Sequence, residues 1–292
     1  MIGPADELPV ILGTSVPNTN NTDLQTKGFE LELAWRDRAF NSLNYGIRFV
    51  LSDAQAQITR YSNPSGTLSK YYSGMKWGEI WGYQSIGIAQ SDDQMLEHIA
   101  SLPNGGQNSL GSDWQAGDIM FKDVNNDGRI DSGAYTIDDH GDLVVIGNTT
   151  PRFNYGIDLT AEWKGVDFRL FLQGVGKRDY FQRSKYFFGS IGGSKWGTMV
   201  LKQHLDYYRD DPDHPLGLNK NSYYPRPYLD NGKNYQTQTK YLQNAAYMRV
   251  KNLQIGYTLP SRITNLLGIS NFRLFVSGEN LFTFTKMKDL FD

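Results

Sequence analysis

The stretch with the most chemical potential is Asp123-Val124-Asn125-Asn126-Asp127-Gly128-Arg129-Ile130-Asp131. Oxygen-bearing side chains recur at loop positions 1, 3, 5 and 9, Gly128 stands at position 6, and Arg129 offers its carbonyl at position 7. This is the ligand spacing of calcium loops. Position 12 is Ala134 rather than a bidentate Glu, so Asp138 or Asp139 is the expected source of the missing carboxylate. The competing reading is an Asx-rich turn, in which the same side chains accept hydrogen bonds from backbone amides. A second group is aromatic: Tyr186, Phe187, Phe188, Trp196, Tyr207, Tyr208, Tyr223, Tyr224 and Tyr228 crowd one insertion. Such rings stack on sugars, anchor a protein partner, or pack locally. His98, His140, His204 and His214 show neither HExxH nor any paired ligand spacing, and no nucleophile–base pattern stands out. No catalytic residue is assigned and the chain is read as a non-enzyme.

The elements that position these groups are strands. In Phe153 to Trp163, apolar residues at odd positions alternate with Asn154, Gly156, Asp158, Thr160 and Glu162. Lys164-Gly165 is a two-residue turn, and Val166, Phe168, Leu170 and Leu172 carry the apolar face back. Further strands are expected over about 25–36, 43–57, 245–258 and 271–285, with a slipped period near Arg249 to Asn252 that suggests a bulge. A short helix is expected after Pro260, with Ser261 as N-cap and Gly268 as stop. These strands are longer than the usual 5–6 residues and match the roughly 9–11 that a tilted strand needs to cross a bilayer. Connections alternate short and long, the long ones at about 58–150 and 179–243. This is the rhythm of an outer-membrane barrel. Trp35, Trp163 and Tyr257, with Tyr45, Phe168 and Phe272, are expected as an interfacial girdle.

The fold class is therefore all-β, part of a large antiparallel transmembrane β-barrel with long extracellular loops. Net charge of −2 and scattered basic residues give no footprint for nucleic acid. Absence of cysteine removes disulfides and thiolate metal sites. Mean hydropathy is −0.51. No apolar run reaches the roughly 18 residues of a membrane helix, which leaves a barrel open because half of each strand faces a polar lumen. No secretory signal follows Met1, so the chain is expected to be a fragment. The rival reading is a soluble, calcium-stabilised glycan-binding or adhesion module.

Several stretches resemble the C-terminal part of the SusC/RagA family of TonB-dependent outer-membrane transporters: GEIWGYQSIGI at 78–88, AGDIMFKDVNNDGRID at 116–131, GDLVVIGNTTPRFNYGIDL at 141–159, FLQGVGKRD at 171–179, AAYMRVKNLQIGYTLP at 245–260 and FRLFVSGENLFTFTK at 272–286. The resemblance implies that residues 1–292 are a late piece of a barrel of about 22 strands, its plug and N-terminal region lying outside this chain. It further implies the outer membrane of a Gram-negative bacterium, TonB coupling through that absent region, a SusD-type surface lipoprotein as lid, and an oligosaccharide or peptide as substrate. Tyr207 and Tyr208 are expected to matter more to lid contact or uptake than Asp210, Asp211 and Asp213.

Overall fold

The computed structural model describes residues 3–4, 18–40, 42–189, 200–228, 232–266 and 268–288. Six long strands form one open antiparallel sheet: β1 (Asp23–Ala39), β2 (Leu43–Arg60), β7 (Arg152–Trp163), β8 (Val166–Lys177), β11 (Tyr247–Thr258) and β12 (Arg273–Thr285). Each pairs with its sequence neighbour in this series, so the spatial order is β1-β2-β7-β8-β11-β12. Strand lengths of 12 to 18 residues exceed what a soluble sheet ordinarily uses.

Register explains the alternation. Ile47 pairs with Trp35 and Leu159, Leu159 with Leu170, and Leu170 with Leu253, so one apolar row crosses five strands on a single face. That face is open: Leu33 is 57% exposed, Trp163 50%, Ile255 52% and Val276 79%. The opposite face carries ion pairs. Glu32 meets Arg48 and Asp158 meets Arg169, each at 2.7 Å. Asp167 of β8 meets Arg273 of β12 at 2.5 Å, although β11 lies between them. Gly256 makes that crossing possible, because a Cβ there would lie 2.4 Å from the Asp167 carboxylate and 2.5 Å from Arg273.

The β7–β8 hairpin turns at Lys164-Gly165, both with positive φ (48° and 88°), as a type I′ turn requires. Val166 pairs with Trp163 and Phe168 with Ala161, so Trp163 and Phe168 share the apolar face. The slip near Lys251 is a bulge: the register of β11 shifts between Val250 and Asn252 against β12, and at the same point against β8.

Local details depart from the sequence reading. Phe153 does not extend the alternation; its φ is +55°, and its N–H donates to Asp53 Oδ1 at 3.2 Å. Ser261 lies inside α2 (Ser261–Leu266), whose first amides bond to Pro260 O, so Ser261 is not the N-cap. Phe272 precedes β12, its carbonyl accepting from Leu259 N at 2.9 Å. In the expected girdle, Trp163 and Tyr257 both flank Val166, whereas Trp35 pairs with Ile47 further along the sheet.

The two long connections contain short elements: β3 (Glu79–Gly82), β4 (Ser85–Ile88), α1 (Asp92–Ala100), β5 (Ile119–Phe121), β6 (Val144–Asn148), β9 (Asp179–Tyr180) and β10 (Gln243–Asn244). Sequence periodicity did not announce α1. Ser91 caps it by accepting from Gln94 N at 3.2 Å, Asp92 and Asp93 occupy its first turn, and Met95 is its buried residue.

Candidate functional site

The two insertions fold together. One apolar core draws Tyr83, Ile88, Leu102, Ala116, Ile119, Phe121, Ile130 and Leu143 from the first, and Phe187, Phe188, Tyr208, Tyr224 and Tyr241 from the second. Phe187 and Phe188 meet edge to face at 4.8 Å, Phe188 meets Tyr241 at 5.2 Å, and Tyr224 stacks on Tyr241 at 6.0 Å. Burial raises the phenols of Tyr223, Tyr224 and Tyr241, which stay protonated; Tyr224 and Tyr241 donate to carbonyls and Tyr223 accepts from Gln243 Nε2. Tyr224 Oη donates to Phe187 O at 2.7 Å and Tyr208 Oη to Gln90 O at 2.9 Å. Gly117, with φ +87°, lets Tyr208 lie flat: a Cβ there would be 2.4 Å from the ring.

Polar contacts bolt the same seam. Lys233 of the second insertion and Asp118 of the first are both fully buried and 2.7 Å apart. Lys233 Nζ also donates to Asp113 O at 2.7 Å and lies over the rings of Tyr228 (4.3 Å) and Trp114 (5.0 Å). Asn234 donates to Asp118 at 2.8 Å and accepts from Ile119 N at 3.0 Å. Buried Gln107 accepts from Phe121 N at 2.6 Å and donates to Ile119 O at 3.1 Å.

This placement corrects the reading of the aromatic set. Phe187, Phe188, Tyr208 and Tyr224 are at most 2% exposed. They are the core of the loop unit and not its contact surface. Tyr207 and Tyr223 are half-buried against that core, and Tyr186 is exposed. Trp196 lies outside the described residues. Asp210, expected to matter less than the rings, pairs with Arg226 at 2.7 Å.

In the acidic loop, Asp123 accepts from Asn126 N at 2.6 Å and Gly128 N at 2.9 Å, Asn125 from Asp127 N at 3.0 Å, and Asp127 from Arg129 N at 3.1 Å. The Arg129 guanidinium bridges Asp127 (3.2 Å) and Asp131 (2.8 Å). Two further carboxylates fold onto the loop: Asp139 accepts from Ala134 N at 3.0 Å, and Asp142, fully buried, accepts from Val124 N at 2.7 Å and Asp131 N at 3.0 Å. Burial raises the pKa of Asp142, against its backbone bonds. Among the described residues no three acidic or histidine side chains are arranged to hold a metal ion. The geometry is that of an Asx turn. Sequence reasoning missed Lys233, Asp118 and Asn234, whose partners lie more than a hundred residues away, and Gln107 and Tyr241, whose contacts leave no local pattern.

No protein-family model matches the chain. TonB-dependent receptor P3 of Formosa agariphila is 25% identical over 294 residues, covering 95% of this chain and 26% of the receptor. TonB-dependent receptor P39 of the same organism is 22% identical over 311 residues, covering 95% and 28%. Among solved structures, the RagAB peptide transporter aligns with TM-score 0.65 and 20% identity, over 97% of this chain and 28% of that one. The RagAB peptide importer in its open-open state aligns with TM-score 0.63 and 19% identity, over 99% and 28%. The open sheet thus shares the fold of part of a large antiparallel β-barrel wall. The chain resembles a SusC/RagA-type segment and spans about a quarter of the length of the curated relatives it matches.

Proposed function

We propose that this chain forms late wall strands and two co-folded extracellular loops of a TonB-dependent outer-membrane importer for oligosaccharides or peptides, working with a SusD-type lipoprotein. The carrying observation is the two-faced sheet, with its continuous apolar row on one side, ion pairs on the other, and both long connections at one end. A soluble module would leave that apolar row in water, at about 25 cal/mol for each Å² exposed. In a bilayer it is solvated by lipid. Leu205, Leu216 and Leu218, together with Tyr186, are exposed on the second insertion and supply the apolar contact for the lipoprotein. The test uses the full-length protein in a Gram-negative host. Nutrient uptake is expected to require TonB, and the lipoprotein to co-purify. TonB-independent growth on the cognate nutrient would refute the importer reading, and loss of co-purification only after core variants would refute the contact surface.

A further inference from the structure

At the loop-unit end of the sheet, a cleft of about 420 Å³ opens between the strand tops. It is lined by Arg178, Tyr180, Tyr247, Arg249, Thr283 and Thr285, with no acidic side chain. Tyr247 pairs with Thr285 and Arg249 with both Thr283 and Gln173. Gln173 shares a strand face with Arg169, which places these residues on the ion-paired side of the sheet and away from the apolar row.

The two guanidinium groups differ from five arginines of the sheet. Arg48, Arg60, Arg152, Arg169 and Arg273 are each matched to a carboxylate. Arg178 and Arg249 have no carboxylate within ion-pair distance among the described residues. Each is anchored through Nε alone: Arg178 donates to Thr149 O at 3.0 Å, and Arg249 to Thr283 Oγ1 at 2.9 Å while lying over the Tyr247 ring at 5.5 Å. Fixing Nε limits how the fork can turn and leaves the terminal nitrogens for two-point hydrogen bonding. That is the arrangement in which a guanidinium recognises a carboxylate.

From this geometry we infer that the cleft is a recognition subsite for carboxylate-bearing substrate, and that the transporter selects acidic oligomers as they enter the lumen. The inference rests on the importer reading above and adds the charge class of its cargo. An acidic peptide and a uronic-acid oligosaccharide present the same group, so both are tested. Titration of the full-length receptor in detergent would use triglutamate and trigalacturonate, with trialanine amide and maltotriose as neutral counterparts. One acidic probe should bind at least tenfold more tightly than its neutral counterpart, and raising salt should weaken only the acidic probe. The Arg178→Gln/Arg249→Gln double variant should lose roughly 10- to 100-fold in affinity for that probe. The Arg178→Lys/Arg249→Lys variant, keeping charge without the fork, should fall between. Preference for triglutamate identifies a peptide source, and preference for trigalacturonate a glycan source. Equal binding of acidic and neutral probes, or no salt dependence in the unmodified protein, overturns the subsite whether or not the variants fold. TonB-dependent uptake that persists while acidic preference is absent leaves the importer reading standing and removes only this inference. Acidic binding without TonB-dependent uptake does the reverse.

Discussion

Lys233 shows how much one side chain can hold. Its ammonium is buried against Asp118, two aromatic faces and two backbone carbonyls, and it joins segments more than a hundred residues apart. Removing one member of a buried pair leaves the other charge unsolvated, typically at 3–5 kcal/mol. Lys233→Ala should therefore destabilise the loop unit by about that amount, read as lost protease protection of residues 58–150. Lys233→Met with Asp118→Asn should recover part of it. Tyr208→Ala should cost about 3 kcal/mol or more by emptying a packed site beside Gly117, whereas Asp211→Asn, on an exposed loop, should stay within about 0.5 kcal/mol. His98 gives a pH signature. Burial holds its imidazole below its usual pKa, with the Gln107 bond opposing. Above about pH 6.5 the ring is neutral in folded and unfolded chain alike, and costs nothing. Below it the unfolded chain takes up the proton first, so stability falls until the lower folded pKa is reached. Melting of the unit, followed by Trp114 fluorescence, should drop from pH 7.5 to 5.5, and His98→Gln should flatten that drop.

At the scale of elements, the strands were legible because their signal is local. Period-2 alternation from Leu43 to Leu51 or Tyr155 to Trp163 fixes which side chains share the apolar face, and a one-residue slip would reverse every one of them. The bulge at Lys251 was visible for the same reason, as a broken period. Phe153 was misplaced because positive φ at an aromatic residue has no sequence mark. The helix α1 was missed because Ser91 and Gln94 are a weak cap signal inside a stretch with little apolar periodicity. The acidic loop carried the right residue types for two chemistries, and only coordinates show their oxygens turned to backbone amides. The two faces of β12 allow a direct comparison. Val276→Lys, on the apolar face, should cost about 2–4 kcal/mol if it lies near the bilayer midplane. Ser277→Lys, on the polar face, should be tolerated. Yield of heat-modifiable barrel in outer-membrane fractions distinguishes the two, and equal yields would mean the face assignment is wrong.

At the scale of the whole molecule, the sequence showed two long connections but not that they are one body. Their union is made of pairings such as Tyr83 N to Thr237 O at 2.8 Å and Arg226 N to Gly117 O at 2.8 Å, which follow from no local rule. Neither insertion has a complete core. The first contributes Tyr83, Ile119, Phe121 and Ile130, and these share one cluster with Phe187, Tyr208, Tyr224 and Tyr241 of the second. Asp118, without Tyr228, Lys233 and Asn234 of the second insertion, would also be a buried charge left with the backbone amide of Gln115. The two insertions should therefore unfold as one cooperative unit while the sheet persists, since the sheet is held by its own ladders and, in the membrane, by lipid. Replacing residues 183–241 of the full-length protein with a short Gly/Ser linker should leave the barrel heat-modifiable. Amides of Ile119, Phe121 and Ile130 should then exchange with solvent deuterium as fast as exposed ones. If they kept their protection, the first insertion would be an independent fold, and the shared core would be a contact between two finished domains.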